Sequence, residues 1–109
     1  METALYRSVA ATTSQRRERA LARAHIALGE LSRKGVTAGI IGSLATTRFR
    51  PHSDVDFLVV DCPPELRYAI EAALEGSMDD IGFDVVYLYE VDANARSRML
   101  AEVKYGADL

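Results

Sequence analysis

Apolar residues recur along the first third of the chain at the three- and four-residue steps of an α-helix. The stripe consists of Leu21, Ala24, Leu28 and Leu31. This helix is predicted to begin at Ser14, a residue type that caps helix N-termini, and to end at Gly35, a common C-terminal stop. Residues 1–13 carry little pattern, so we predict a loose or weakly helical N-terminal arm, followed by a single domain over residues 14–109.

Short apolar runs with few polar interruptions predict three strands, because a strand covered on both faces loses its hydrophobic-polar alternation. They span residues 36–41, 55–60 and 83–89. Helical segments are predicted over residues 44–49, 63–76 and 93–104. In the last of them, Met99, Leu100 and Val103 are expected to point inward. Alternating helices and strands in this order predict a small α/β (α+β) domain, a mixed β-sheet flanked by helices.

Two aspartates open the second predicted strand, in the run Asp54-Val55-Asp56. Residues two apart on a strand project to the same face, roughly 6 to 7 Å from each other. Two carboxylates side by side against an apolar strand repel each other and are costly to desolvate, and a divalent cation removes both penalties. Hard carboxylate oxygens suit magnesium or manganese. The competing interpretation, more frequent for an isolated Asp-x-Asp, is a pair of solvated residues in a strand-entry loop.

Two further features could belong to the same site. Gly42-Ser43 follows the first strand, where glycine permits a sharp turn and exposed amides with the Ser43 hydroxyl favour an anion such as phosphate. Asp84 interrupts the apolar run of the third strand. If that strand lies beside the second, Asp84 could complete a metal site or accept the proton of an attacking hydroxyl. Alternatively, Gly42-Ser43 forms a plain turn, and Asp84 is an edge-strand aspartate that faces water.

Together these features resemble the nucleotidyltransferases of the DNA polymerase β superfamily. The spacing of Gly42-Ser43, ten residues and then Asp54-Val55-Asp56 is similar to the minimal nucleotidyltransferase branch, as is the ending Val103-Lys104-Tyr105-Gly106. The resemblance covers roughly residues 35–109. It implies a nucleotidyltransferase fold with two Mg²⁺ ions and ATP as substrate, and it implies roles for five residues. The metals would be bound by Asp54, Asp56 and Asp84, with Asp84 also helping to activate the acceptor hydroxyl, and the β- and γ-phosphates by Gly42 and Ser43.

Minimal members often pair with HEPN-domain toxins in prokaryotic toxin–antitoxin systems, where they adenylylate a tyrosine hydroxyl of the toxin, a ribonuclease. The resemblance therefore implies an antitoxin in a hetero-oligomer with a HEPN partner. Neutralisation by binding alone and transfer to a small molecule are the alternatives. The family commonly continues Gly-Ser-x-Ala with Arg-Gly, where this chain has Thr46-Thr47. Arg48 and Arg50 could contact phosphate in its place, or they could be solvated loop charges.

Composition narrows the functional classes. The chain has 109 residues and a formal net charge of -3, which disfavours direct nucleic-acid binding because backbone readers are usually basic. Cys62 is the single cysteine, which excludes an intrachain disulfide. We find neither a signal peptide nor an apolar run of membrane-spanning length, so a cytoplasmic protein without membrane contact is expected. Four arginines on the first helix form a solvated face or a docking surface: Arg16, Arg17, Arg19 and Arg23.

Overall fold

The computed structural model describes residues 4–46, 48–50 and 53–109, with the side chains of residues 4–13 excepted. Within these residues the strands are β1 (Thr37–Ile41), β2 (Val55–Asp61) and β3 (Phe83–Tyr87). The α-helices are α1 (Ala4–Arg33), α2 (Arg67–Met78) and α3 (Ala93–Glu102). None of the described helices is long and apolar enough to cross a bilayer.

The sheet has the order β1-β2-β3, with β1 antiparallel and β3 parallel to the central strand β2. Helix α2 forms the crossover between the two parallel strands, as a parallel connection requires. The predicted mixed sheet flanked by helices is therefore confirmed.

Helices cover both faces of this sheet, which explains the unbroken apolar run of β2. Val55, Phe57 and Val59 point into the larger core, which α1 and α2 complete from their own buried faces. Leu58 lies on the opposite face in a smaller cluster, against which Met99 of α3 packs. Side chains on alternate positions of β2 thus enter two different cores.

Helix α1 begins at Ala4, ten residues before Ser14, so the predicted N-cap at Ser14 is wrong. No glycine or proline lies in residues 4–13 to interrupt a helix, and the serine cue was overridden by this helix-compatible sequence. The division between an arm over 1–13 and a domain over 14–109 stays a prediction, and residues 1–3 lie outside the described residues.

The predicted stop at Gly35 is confirmed. Gly35 has a φ of 78°, and its N–H donates to the Ser32 carbonyl at 3.0 Å while the Val36 N–H donates to the Leu31 carbonyl at 3.0 Å. This pair of bonds closes the helix end in the manner of a Schellman motif.

Other boundaries also differ from the predictions. The helix predicted over residues 63–76 consists of a 3-10 helix over Pro64–Leu66 and of α2, which continues past Gly76 to Met78. A short 3-10 helix over Gly42–Ala45 replaces the helical turn predicted at 44–49, and β3 ends at Tyr87, where another 3-10 helix over Leu88–Glu90 begins. Helix α3 ends at Glu102 because the backbone of Lys104 pairs with Ile40 of β1.

The prediction that Leu100 points inward is also wrong, because it is 43% exposed. Met99 in α3 and Val103 directly after the helix pack against the smaller core, and Leu100 is rotated away from it.

Candidate active site

The predicted acids of the second and third strands stand beside each other. In the parallel register of β2 and β3, Asp56 is the direct partner of Asp84. Partners in neighbouring strands project to the same face, here the face of Leu58 and Val86 that carries the smaller core. The strand order therefore brings together two carboxylates that α2 separates in the sequence.

Asp54 immediately precedes β2 and lies next to Gly82, which immediately precedes β3. A side chain on Gly82 would overlap the Asp54 carboxylate. The absence of a side chain at Gly82 thus gives the Asp54 carboxylate its place at the same end of the sheet as Asp56 and Asp84.

The three carboxylates interact electrostatically. The pKa of Asp56 is raised, first because the half-buried carboxylate is desolvated, then because Asp84 and Asp54 repel its charge. Among the described residues, no lysine or arginine forms an ion pair with these three acids. The trio is an anionic cluster without a cationic partner in this part of the chain.

The same acids do not form a closed set of ligands. In the described part of the chain, no three histidine, cysteine, aspartate or glutamate side chains stand in the arrangement of a metal site. The repulsion by Asp84 and Asp54, which adds to desolvation in raising the pKa of Asp56, requires only that the charges lie near one another, whereas a closed ligand set requires the carboxylate oxygens to converge on one point. The donor chemistry fits magnesium, which combines a few carboxylates with water and substrate phosphates.

A glycine turn adjoins this acidic cluster. Gly42 has a φ of 76°, a conformation that other residues adopt with strain, and a side chain there would overlap the Asp56 carboxylate. A glycine is therefore required at position 42 for two reasons: it forms the turn that ends β1, and it lets the backbone approach Asp56 closely.

The predicted nucleotide-binding residues Gly42, Ser43 and Arg48 line one cavity of about 560 Å³. The cavity is completed by Ala45, Thr46, Ala101, Glu102 and Lys104. The structure thus brings together the three residues that the sequence assigned to phosphate, beside the acid that Gly42 contacts.

Thr46 shapes the loop at this cavity. Its hydroxyl donates to the Ser43 carbonyl at 3.0 Å and accepts a hydrogen bond from the Arg48 backbone N–H at 3.1 Å. Thr46 therefore contributes no charge to the cavity, but it fixes the backbone between Ser43 and Arg48.

A second, smaller cavity of about 190 Å³ borders Asp54. Its other lining residues are Arg16, Arg19, Phe49, Ser53, Ile81 and Gly82. Arg19 forms ion pairs with Asp79 at 2.8 Å and with Asp80 at 2.5 Å. Part of the arginine group on α1 is thus engaged with the loop that follows α2.

Sequence reasoning missed Glu102 and Lys104 as cavity residues. Residues 103–106 resemble the ending of minimal nucleotidyltransferases. No local pattern predicts, however, that Lys104 pairs with Ile40, more than half the chain away. Such a long-range pairing has no signal in a single sequence.

The sheet order, the acids at the head of β2 and β3 and the adjoining glycine-serine turn define a nucleotidyltransferase-like fold. Nucleotidyl transfer is the general activity that this fold indicates. A solved structure provisionally described as a minimal nucleotidyltransferase matches with a TM-score of 0.64 and 29% sequence identity, over 76% of this chain and 88% of that one. No protein-family model and no curated protein matches the chain.

Proposed function

We propose that this protein is a magnesium-dependent protein adenylyltransferase of the cytoplasm, an antitoxin that transfers AMP from ATP to a tyrosine hydroxyl of a HEPN-family ribonuclease toxin. The observation that carries the chemical part of this proposal is the pairing of Asp56 with Asp84 next to the cavity of Gly42 and Ser43. The toxin partner rests on the family resemblance of the sequence.

The three acids would have different roles in metal binding and proton transfer. Asp54 and Asp56 would hold two Mg²⁺ ions together with phosphate oxygens, and Asp84 would share one of them. Bound magnesium supplies charge neutralisation at the α-phosphate and at the departing oxygens. The exposed Asp84 carboxylate would also accept the proton of the acceptor hydroxyl.

The remaining groups would position the triphosphate. The Gly42 and Ser43 amides and the Ser43 hydroxyl can donate hydrogen bonds to phosphate oxygens, and the exposed Arg48 adds positive charge. The acceptor oxygen forms a bond to the α-phosphorus as the bond from that phosphorus to the bridging oxygen breaks. Pyrophosphate leaves, and AMP remains on the acceptor.

The cavity beside Asp54 supports a separate place for the acceptor. It borders one of the proposed metal-binding acids, while the larger cavity begins at Gly42 and Ser43. The acceptor hydroxyl would enter the cavity that Asp54 lines, and the triphosphate the separate cavity that Gly42 and Ser43 line.

One observation favours the alternative of an antitoxin that acts by binding alone. Thr46 leaves the loop without the arginine of the family pattern, so one cation for the triphosphate is missing at that position. This alternative predicts that variants of the acids still neutralise the toxin.

The test combines the purified protein, ATP and Mg²⁺ with the product of the adjacent reading frame, which this proposal expects to be a HEPN-family ribonuclease. We expect intact-mass spectrometry to show the mass of AMP added to the partner, and peptide sequencing to place it on tyrosine. Asp56→Asn should abolish the added mass, whereas Asp61→Asn, an exposed acid at the far end of the same strand, should not. No added mass with either the unaltered protein or Asp56→Asn would refute adenylylation. Protection of cells by Asp56→Asn would then support binding alone.

A further inference from the structure

Residues 103–105 are fixed to the outer edge of β1. The Ile40 N–H donates to the Lys104 carbonyl at 2.8 Å, and the Lys104 N–H donates to the Ile40 carbonyl at 2.8 Å. This reciprocal pair is an antiparallel bridge, which orients the Lys104 backbone by two hydrogen bonds rather than leaving it as a free tail.

Gly39 makes this close approach possible. A Cβ atom at that position would lie 2.6 Å from Val103 Cγ2 and 2.8 Å from the Lys104 carbonyl oxygen. These distances are far below van der Waals contact, so the segment can occupy its position only against a residue without a side chain.

The bridge places Lys104 in the cavity of Gly42, Ser43 and Arg48. Glu102 lines the same cavity, and no carboxylate among the described residues forms an ion pair with Lys104. The two cationic side chains of the lining outnumber its one acid, which favours an anionic ligand. An exposed ammonium group with three donors and a flexible stem suits a phosphate oxygen.

We propose that Lys104 binds the β- or γ-phosphate of ATP and so supplies, from the C-terminal end of the chain, the positive charge that Thr46 does not. This inference rests on the proposed function, because it assumes that the cavity receives a triphosphate. Lys104 would stabilise the negative charge that gathers on the departing pyrophosphate. It would discriminate ATP from AMP, since AMP has no β- or γ-phosphate.

The composition of the chain permits a direct test. Lys34 and Lys104 are its only lysines, and Lys34 lines a groove between α1 and α2 instead of the phosphate cavity. Acetylation by a lysine-selective reagent, followed by peptide mass spectrometry, reports both amines in one sample. We expect Mg²⁺ with ATP or inorganic tripolyphosphate to slow acetylation of Lys104 about tenfold and to leave Lys34 unchanged, whereas AMP protects neither.

Variants give a second measurement by titration calorimetry. Lys104→Ala should weaken ATP binding about tenfold, consistent with the loss of a charge-assisted contact, and leave AMP binding unchanged. Lys104→Arg should restore most of the affinity, and Lys34→Ala is the matched control. Circular dichroism verifies that each variant is folded, and the acetylation experiment needs no substitution at all.

The outcomes separate this inference from the function on which it rests. If the unaltered protein binds ATP but Lys104 is not protected, or if Lys104→Ala binds ATP as Lys34→Ala does, the role of Lys104 is refuted and the proposed function stands. If the unaltered protein binds neither ATP nor tripolyphosphate in the presence of Mg²⁺, both are refuted.

Discussion

Asp56 and Asp84 occupy directly opposite positions on the neighbouring parallel strands β2 and β3. Their side chains project to one face, so the fold holds two like charges together and adds Asp54 at the same end of the sheet. The pKa of Asp56 is raised, first because its carboxylate is desolvated by burial and then because Asp84 and Asp54 repel its charge. Among the described residues no lysine or arginine forms an ion pair with these three acids, and an anionic cluster of this kind is suited to a cationic ligand.

The first prediction concerns the acids as a functional unit. Asp56→Asn and Asp84→Asn should each lower the rate of AMP transfer by at least about a hundredfold, because a neutral amide removes both a metal ligand and a charge. The measurement is a time course of AMP incorporation at saturating ATP and Mg²⁺. Asp61→Asn is the control, since Asp61 lies at the opposite end of β2 and is exposed. Equal rates for the Asp56 and Asp61 variants would contradict the assigned role.

The second prediction concerns the pH dependence of stability without metal. Because the pKa of Asp56 is raised in the folded protein, folding favours its protonated form. The corresponding contribution to the free energy of unfolding is fully present below the unfolded pKa of about 4, and it is lost as pH rises through the higher folded pKa. In EDTA, Asp56→Asn should therefore gain thermal stability relative to the unaltered protein as pH rises above about 4.

Magnesium should reverse this difference at neutral pH. The unaltered protein should gain stability on adding Mg²⁺ and ATP, because a ligand that binds only the folded state stabilises it, and Asp56→Asn should gain much less. Melting temperatures over a pH series, with and without Mg²⁺, measure both effects. If the difference in melting temperature between the two proteins in EDTA does not change with pH, the pKa of Asp56 is not raised in the folded protein.

The third prediction separates backbone strain from a contact in the site. Gly35 and Gly42 have nearly equal positive φ angles of 78° and 76°, but only at Gly42 would a side chain overlap the Asp56 carboxylate. Gly35→Ala and Gly42→Ala should each lower the free energy of unfolding by about 1 to 2 kcal/mol from the left-handed conformation. The Asp56 carboxylate can rotate away from the new methyl group, so the overlap should act on ligand binding more than on stability.

Gly42→Ala alone should therefore weaken binding of Mg²⁺ and ATP. Denaturant unfolding measures the free energy of unfolding of the two variants, and titration calorimetry measures their affinity for Mg²⁺ and ATP. If Gly35→Ala weakens nucleotide binding as much as Gly42→Ala, the effect is general destabilisation rather than displacement of Asp56.

The acids of the site were predictable because strand geometry is local. The two-residue period of a strand placed Asp54 and Asp56 together, and the apolar runs around Val55 and Val85 located the two strands that the structure pairs. Asp84 joins these two acids only if β3 lies beside β2, and the sequence alone does not determine which strands are adjacent. The parallel register satisfies this condition.

The parts that sequence reasoning missed have two different causes, one local and one a contact between distant residues. Ser14 has the chemistry of an N-cap, yet the helix continues through it because nothing before it breaks the helix. Lys104 is an ordinary basic residue at the end of a helical pattern, and only its bridge to Ile40 places it in the phosphate cavity. Local propensity therefore has no information on the position of Lys104, whereas at Ser14 the helix-compatible residues before it outweigh the capping cue.

The fourth prediction concerns the attachment of the C-terminal segment. Gly39→Ala should displace residues 103–105 from β1, because the new Cβ would meet the Lys104 carbonyl oxygen at 2.8 Å, and a backbone atom cannot rotate away as a side chain can. Hydrogen exchange at the Ile40 and Lys104 amides should accelerate, since these amides form the bridge. ATP affinity should fall toward that of Lys104→Ala, while AMP affinity should change little.

The control for this variant is Gly29→Ala in α1, where a Cβ meets nothing within 4 Å and alanine favours the helix by roughly 0.5 to 1 kcal/mol. It should leave both the exchange rates at the bridge and ATP affinity unchanged. Combining Gly39→Ala with Lys104→Ala should weaken ATP binding little more than either change alone, because both remove the same ammonium group from the cavity. Additive losses would mean that Gly39 influences nucleotide binding by a route other than the position of Lys104.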